Sequence, residues 1–189
     1  MLIALAGVTG VGKSFYSQEI EKKFNIKKIH TIRTRPMRDG EINGVTGYFM
    51  SEEELDNEIA EGNIAIDFSE FGGRYAYLKS EVFSDDDYVF EMHYTHVDGW
   101  KKIKPDMISI YILPTNIEDA IKNIKQRNLS KDKEDERIKE VYEQYNNFIN
   151  DEKLQEKYDY IMYNDFNNDS RNKLMNLIER IIDKWSFLL

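Results

Sequence analysis

The sequence contains no cysteine and only three histidines among its 189 residues. Without cysteine the chain has no disulfide, no thiolate nucleophile and no thiolate ligand for zinc, and it fits a reducing compartment such as the cytoplasm. The histidines (His30, His93 and His96) leave little from which to build a nucleophile and its general base. His93 and His96 could be taken for a pair of metal ligands, but a solvated turn is the simpler interpretation.

Long apolar runs and an excess of positive charge are missing as well. No stretch approaches the ~20 apolar residues of a membrane span. The apolar start of the chain has no basic flank and runs into a glycine-rich loop, which argues against a signal peptide. With 26 basic and 35 acidic residues the net charge is −9. We therefore expect a globular protein without a nucleic-acid or membrane partner, acting on small molecules.

What is present is an alternation of short apolar runs and helical segments. It predicts an α/β fold with a parallel sheet flanked by helices, and the motif G-x-x-x-x-G-K-[ST] after the first strand makes this the P-loop NTPase fold. The predicted strands cover residues 2–6, 27–32, 88–92, 107–113 and 158–163. The predicted helices of this core cover residues 13–24, 115–127 and 169–185. A chain of this length fits one domain.

Two stretches interrupt the alternation. Residues 33–83 are expected to form a small mixed lobe, with a helix opened by a capping box at Ser51 and Glu54 and a hairpin further on. Residues 128–150 are expected to form a helical lid, charge-dense up to Glu136 and helical from there to about Leu154. The remaining residues form the expected core, at about 1–32, 84–127 and 151–189.

A phosphate-binding loop follows the first strand. The segment Gly7-Val-Thr-Gly-Val-Gly-Lys13-Ser14 satisfies G-x-x-x-x-G-K-[ST]. Its glycines let backbone N–H groups close around phosphate oxygens, Lys13 reaches the β- and γ-phosphates, and Ser14 offers a hydroxyl to Mg²⁺. The sequence thus predicts an ATP site at Gly7, Thr9, Gly10, Val11, Gly12, Lys13 and Ser14.

A basic stretch lies downstream, with Arg33, Arg35 and Arg38 within six residues. Such a run is commonly a solvated face. A phosphate loop, however, needs an acceptor nearby, and arginine forks match phosphate oxygens bidentately. When the acceptor is a phosphate, its attacking oxygen is already anionic. Catalysis then consists of positioning and charge neutralisation, which suits a chain with so few nucleophiles.

A longer pattern runs through this stretch. It is S-x-x-T-R-x-x-R-x-G-E-x-x-G, matched by Thr31, Thr34, Arg35, Arg38, Gly40, Glu41 and Gly44. A glycine, an acidic residue and an aromatic–glycine run follow at Gly62, Asp67 and 71–75, and an Asn-Asp pair closes the last strand at Asn164 and Asp165. In these features nearly the whole chain resembles the guanylate kinase family.

The resemblance implies transfer of a phosphoryl group from ATP to GMP, with Mg²⁺. Arg35 and Arg38 would hold the acceptor phosphate, Thr31 and Asp67 would face guanine, and Asn164 would belong to the ATP site. Lys13, Arg38, Arg127 and Arg137 would be the catalytic cations. A carboxylate at Asp67 suits guanine, because it can accept from both N1–H and the 2-amino group, whereas it repels N1 of adenine.

The sequence departs from the family pattern at the acceptor site. Gly47 stands where a tyrosine is expected, with Tyr48 one place on. Ala76 stands at the second tyrosine position, between Tyr75 and Tyr77, and Leu78 replaces a hydroxyl residue. A shift of one residue would let Tyr48, and either Tyr75 or Tyr77, serve instead; otherwise the acceptor pocket has been rebuilt. The acidic residue near Mg²⁺ is either Glu91 or Asp98.

Three functions are compatible with these features of the sequence. The first is an ATP:GMP phosphotransferase. The second is the same fold acting on a different nucleotide or a sugar phosphate. A non-purine acceptor of this kind would offer the carboxylate of Asp67 no base to recognise. The third is a non-catalytic binding module like the guanylate-kinase-like scaffold domains, against which the intact loop with Lys13 and Ser14 argues.

Overall fold

The computed structural model describes residues 1–38, 40–70, 72–127 and 129–186. Five strands form a central parallel sheet in the order β2-β7-β1-β8-β9. They are β1 (Leu2–Gly7), β2 (Lys27–Lys28), β7 (Tyr88–Glu91), β8 (Ile108–Pro114) and β9 (Tyr160–Asn164). β1 is buried along its whole length, because β7 and β8 pair with it on both sides and helices cover both faces. This arrangement confirms the predicted α/β class.

Helices connect the strands of this sheet. They are α1 (Lys13–Phe24), α3 (Lys79–Val82), α4 (Val97–Ile103), α5 (Ile117–Lys125), α6 (Lys131–Ile149), α7 (Glu152–Gln155) and α8 (Asn168–Ser186), and a 3₁₀ turn (Tyr94–His96) precedes α4. The main core lies between them and the sheet, with Trp100, Phe90, Tyr111 and Phe148 among its largest fully buried side chains. Phe71, an aromatic position of the family pattern, lies outside the described residues.

A second, mixed sheet is built from the segment between β2 and α3. Its order is β4-β3-β6-β5, with β3 (Ile32–Arg33), β4 (Tyr48–Phe49), β5 (Ile64–Glu70) and β6 (Gly73–Leu78). β5 and β6 form the predicted antiparallel hairpin. The helix α2 (Glu52–Ala60) covers one face and carries the predicted capping box between Ser51 and Glu54.

One predicted strand is wrong in its extent. The segment 27–32 was expected to be a single strand, but only Lys27–Lys28 pairs in the central sheet, while Ile32 begins the second sheet beside Tyr48 and Ala76. The apolar residues Ile29 and Ile32 are both buried, in different cores. Because residues buried in two different cores follow each other closely, the sequence shows one apolar run. The run therefore did not reveal that the strand ends after Lys28.

The expected lid helix begins earlier than predicted. α6 starts at Lys131, inside the charge-dense stretch, and ends at Ile149 rather than Leu154. Ion pairs along the helix, such as Lys131–Asp135 at 2.8 Å, support a segment with few apolar residues. Its C-terminal end is anchored by Phe148, whose ring stacks on Tyr111.

Among the described residues, no helix combines the length and apolar character needed to cross a membrane.

Candidate active site

The phosphate loop lies where β1 ends and α1 begins, at the carboxyl edge of the central sheet. Gly10 has a φ of 83°, and a Cβ atom there would come within 2.5 Å of the carbonyl oxygen of Ala120. Only glycine accepts both this conformation and this contact. Asn123 on α5 donates to the carbonyl of Gly10 at 3.0 Å. The loop is therefore shaped by its glycines and held from outside by α5.

Lys13 is folded back over the loop. Its Nζ donates to the carbonyls of Gly7 and Val8 at 2.8 and 3.1 Å. Burial lowers the pKa of Lys13 from 10.5 to about 8, an effect that Glu91 and Glu140 oppose and Arg127 reinforces. A cation held this way at the loop is available to phosphate oxygens within the same concave site.

Ser14 and Glu91 come together beside the loop. Register pairs Glu91, the last residue of β7, with Leu5 of β1, so its carboxylate reaches the start of α1. There it accepts from Ser14 Oγ at 2.8 Å, and Lys28 Nζ lies 3.2 Å away. Burial raises the pKa of Glu91, but Lys28 and the hydrogen bond from Ser14 outweigh it, so the pKa lies below its usual value.

Of the two carboxylates considered for the metal, only Glu91 lies against the phosphate loop. Asp98 lies on α4, where it pairs with Lys157 at 2.6 Å. A hydroxyl and an ionised carboxylate at the edge of a phosphate loop are the hard oxygen donors that Mg²⁺ takes in combination with substrate phosphates. The described residues include no cluster of three or more His, Asp or Glu side chains suited to an all-protein metal site.

Asn164 does not line the ATP site as expected. Only 2% of it is exposed. Its Nδ2 donates to the carbonyl of Val11 at 3.0 Å, while its Oδ1 accepts from Tyr16 and Ser170 at 2.8 and 2.9 Å and from the N–H of Phe166 at 2.8 Å. Both ends of the amide are engaged within the protein. In this structure Asn164 therefore fastens the loop from beneath.

The helix α6 approaches the phosphate loop from the open side. Gln144 accepts a hydrogen bond from the backbone N–H of Thr9 at 2.7 Å. One turn earlier, Glu140 accepts from Arg137 at 2.7 Å. Arg127 follows α5, and it lines the same cavity as Arg137, Lys13 and the loop. Arg127 and Arg137, both expected to be catalytic cations, thus lie at the cavity that borders the phosphate loop.

A second cavity lies between the phosphate loop and the second sheet, and the expected arginines line it. Arg35 forms a bidentate pair with Glu41, with Nη1 and Nη2 at 2.7 and 2.6 Å from the two carboxylate oxygens. This pairing lowers the pKa of Glu41 to about 2. Arg38 lines the cavity as well, and its backbone N–H donates to Glu41 at 2.7 Å. Glu41 therefore orients the basic stretch.

Tyr48 lies on the wrong face for an acceptor contact. Strand register pairs it with Ile32, and it packs on the small core formed by Ile32, Leu55 and Ala76 under α2. It lines neither cavity. Because alternate residues of a strand point to opposite faces, Tyr48 in this structure faces away from the cavity in which it was expected.

Asp67, which was expected to face the base, also lies on the α2 side of the second sheet. It pairs with Ala76 across the hairpin, on the α2 side, and its carboxylate lies 2.9 Å from Nη2 of Arg74. Arg74 also binds Asp56 of α2 at 2.6 Å. Asp67 lines neither cavity. It is part of a surface ion-pair network rather than of the acceptor site.

The opposite face of the hairpin does line the acceptor cavity. Tyr75, as expected, lies there with Phe68, its partner across the two strands. Phe68 stacks on His96 with ring centroids 3.6 Å apart. Thr31 lines the same cavity. His93 lines it too, although its turn was expected to be solvated. The acceptor side therefore contains aromatic rings, imidazoles and hydroxyls.

The two cavities meet at the phosphate loop. They have volumes of about 440 and 1190 Å³, within or slightly above the range of small-molecule sites. Six residues line both, and they include cations, a hydroxyl and a carboxylate: Thr9, Lys13, Ser14, Arg38, Glu91 and Arg137. Phosphates bound in the two cavities would therefore face each other across these side chains.

Several residues of this site were missed by sequence reasoning. Glu140 and Gln144 lie in a polar helix with no distinguishing pattern, and only the fold brings them to Thr9. Phe68 could have been found, because neighbouring residues of a strand point to opposite faces, and Phe68 takes the face that Asp67 does not. Arg33 was noted in the basic stretch but was given no role there.

A phosphate loop with a lysine, a serine and a neighbouring carboxylate, opening onto a second basic cavity, defines a P-loop phosphotransferase. The family model described as guanylate kinase matches residues 1–181. The chain belongs to the guanylate kinase family.

Two guanylate kinases match nearly the whole chain. The guanylate kinase of Malacoplasma penetrans is 28% identical, over 97% of this chain and 95% of its own. That of Wigglesworthia glossinidia brevipalpis is 30% identical, over 94% and 86%. Among solved structures, the guanylate kinase from Anaplasma phagocytophilum matches with a TM-score of 0.71 at 18% identity, covering 95% of this chain and 85% of that chain. That structural likeness shows the shared fold.

Proposed function

We propose that this protein transfers the γ-phosphoryl group of ATP to GMP, giving ADP and GDP. Membership of the family supports the reaction. The observation that carries it is the junction of the two cavities, where residues of the phosphate loop, of the basic stretch and of α6 line both sides. A donor triphosphate on the loop and an acceptor monophosphate near Arg38 would have their reacting groups at this junction.

The chain's cations supply most of the chemistry in this proposal. Lys13 neutralises the β- and γ-phosphates, and Arg137 and Arg127 act on the transferred group from α6 and the end of α5. Arg38 orients the acceptor phosphate, whose oxygen attacks without a general base. Positioning and neutralisation of this kind account for most catalysis of phosphoryl transfer.

Magnesium fits the donor side of the site. Ser14 Oγ and the carboxylate of Glu91 would hold it together with phosphate oxygens, because both are hard oxygen donors and lie 2.8 Å apart. When bound, Mg²⁺ neutralises charge on the phosphates of ATP. Glu91 also holds Ser14 in place, so its role is double.

The proposal is tested by coupling ADP release to a spectroscopic readout with ATP and GMP as substrates. Lys13→Ala is expected to lower kcat/KM by about a thousandfold or more, because it removes a preorganised cation from the transferred phosphates. Lys131→Ala, at an exposed position on α6, is the matched control and should keep full activity. Activity of Lys13→Ala within about tenfold of the wild type would contradict the catalytic role of the loop.

A second candidate acceptor is supported by the orientation of Asp67. Of the described residues that line the acceptor cavity, only Glu41 and Glu91 are carboxylates, and both are engaged with Arg35 or with Ser14 and Lys28. The two donors of guanine would then meet no free carboxylate. A different nucleoside monophosphate, read by hydroxyl and imidazole groups, is therefore the alternative.

A panel of GMP, AMP, CMP and UMP in the same assay distinguishes the two candidates. A kcat/KM for GMP at least about a hundredfold above the others supports GMP, since sites built on hydrogen bonds discriminate at this level or beyond. A preference for another monophosphate supports the alternative and leaves the kinase activity standing. We further propose that the reaction takes place in the cytoplasm, with which a cysteine-free sequence agrees.

A further inference from the structure

Arg33 lines the acceptor cavity, and neighbouring residues hold its guanidinium in place. It lies on β3 opposite Tyr75 of β6, so both side chains share the face that borders the cavity, and both line it. Its Nη1 donates to the carbonyl of Thr46 at 3.0 Å, and its guanidinium lies over the ring of Phe49, 5.5 Å from the centroid. The guanidinium is thereby held in one orientation.

Gly47 leaves the space that this guanidinium uses. A Cβ atom on Gly47 would overlap Nη1 of Arg33 and would lie 2.8 Å from the carbonyl oxygen of Thr31. A side chain at position 47 would therefore displace the guanidinium of Arg33 from its present place. The absence of a tyrosine at position 47 is matched by the presence of a cation in the same volume.

The charge of Arg33 also distinguishes it from its neighbour. Arg35 is neutralised by its bidentate pair with Glu41. Among the residues that the structure describes, none forms a salt bridge with Arg33, whose guanidinium contacts a neutral carbonyl and a ring. Burial and the neighbouring Arg35 lower the pKa of Arg33, and the more distant charge of Glu41 offsets this only in part. A half-buried guanidinium in this setting is stabilised by an incoming anion.

We propose that Arg33 binds the phosphate of the acceptor, from the space that the missing side chain of Gly47 leaves open, and so sets the affinity of this enzyme for acceptor monophosphates. The inference rests on the proposed phosphoryl transfer but not on the identity of the base. It makes the acceptor-phosphate site a combination of Arg33, Arg38 and the Arg35–Glu41 pair. Phosphate contacts carry no base information, so Arg33 would act equally on every monophosphate that the enzyme accepts.

The test is the steady-state kinetics of Arg33→Gln with the monophosphate that the wild type uses best. The KM for the acceptor should rise about ten- to a hundredfold, because one charge-assisted contact to phosphate is lost. The kcat and the KM for ATP should change less than about threefold, since the contact is present before and during transfer. Arg33→Lys, which keeps the charge but not the fork, should fall between the two.

Arg74→Gln is the matched control. Arg74 lies on the opposite face of the same sheet, where it pairs with Asp67 and Asp56. Its replacement should leave the acceptor KM unchanged. An acceptor KM for Arg33→Gln within about twofold of the wild type would overturn the proposal, because a lost charged contact is worth more than that.

Inorganic sulfate separates anion binding from a structural role. As a competitor of the acceptor, sulfate should bind Arg33→Gln about tenfold or more weakly than the wild type. If the acceptor KM rises while the sulfate inhibition constant stays the same and the thermal midpoint falls, Arg33 only fastens the loop at Thr46, and the proposal is wrong. If the wild type phosphorylates no monophosphate, the proposed function fails. Calorimetric titration of sulfate into both proteins then still tests Arg33.

Discussion

Lys13 is expected to lose its proton as the pH passes about 8, and phosphoryl transfer is expected to fall with it. Burial lowers the pKa of this lysine from 10.5 to about 8, and only the charged form neutralises phosphate. A simple titration with this pKa leaves about half of Lys13 charged at pH 8 and about a tenth at pH 9. The triphosphate is already fully ionised above pH 7, so this basic limb belongs to the enzyme.

The assay is kcat/KM for ATP between pH 7 and 10 at saturating acceptor. This quantity reports ionisation of the acceptor-bound enzyme before ATP binds, and it should fall about tenfold per pH unit above 8. The kcat should fall only at higher pH, because bound phosphates stabilise the charged lysine and raise its pKa. Circular dichroism at the highest pH confirms that the protein stays folded.

Two charged neighbours of Lys13 shift its pKa in opposite directions, which provides a further test. Arg127 lowers the pKa of Lys13 and Glu140 raises it. Arg127→Gln should therefore move the basic limb to higher pH, and Glu140→Gln should move it to lower pH, whatever each substitution does to the maximal rate. A profile that stays flat to pH 9.5, or a shift of both variants in the same direction, would refute the reasoning.

Three further predictions concern residues whose positions changed the expectations. Asp67→Asn should leave the ratios of kcat/KM among the monophosphates within about twofold of the wild type, since its carboxylate faces α2; a loss confined to GMP would contradict this placement. Asn164→Ala should lower the free energy of unfolding in urea by about 3 kcal/mol, because four hydrogen bonds around a buried amide are lost, whereas Asn150→Ala at the exposed end of α6 should cost less than about 0.5 kcal/mol. Tyr75→Phe should raise the acceptor KM about fivefold through loss of a hydroxyl in the cavity, while Tyr48→Phe should not, and equal effects of the two would show that the sheet faces are misassigned.

Local features of this protein could be predicted from the sequence, since each depends on a few adjacent residues. The phosphate loop is an example, because its glycine spacing and Lys13 carry their function wherever the first strand is placed. The capping box at Ser51 and the hairpin of β5 and β6 are others, and the structure confirms both. The alternation of apolar runs likewise sufficed for the α/β class, because only a sheet covered by helices buries such runs on both faces.

The acceptor site depended on the tertiary structure, for a reason of register. A change of one residue along a strand reverses the face to which a side chain points, so Tyr48 and Asp67 belong to the helix side while Arg33 and Tyr75 border the cavity. Pairing between distant strands also decided that Glu91, and not Asp98, meets Ser14. Asn164 lies under the loop because β9 and α8 pack there. Such relations depend on how the sheets are assembled, and no spacing along the chain encodes them.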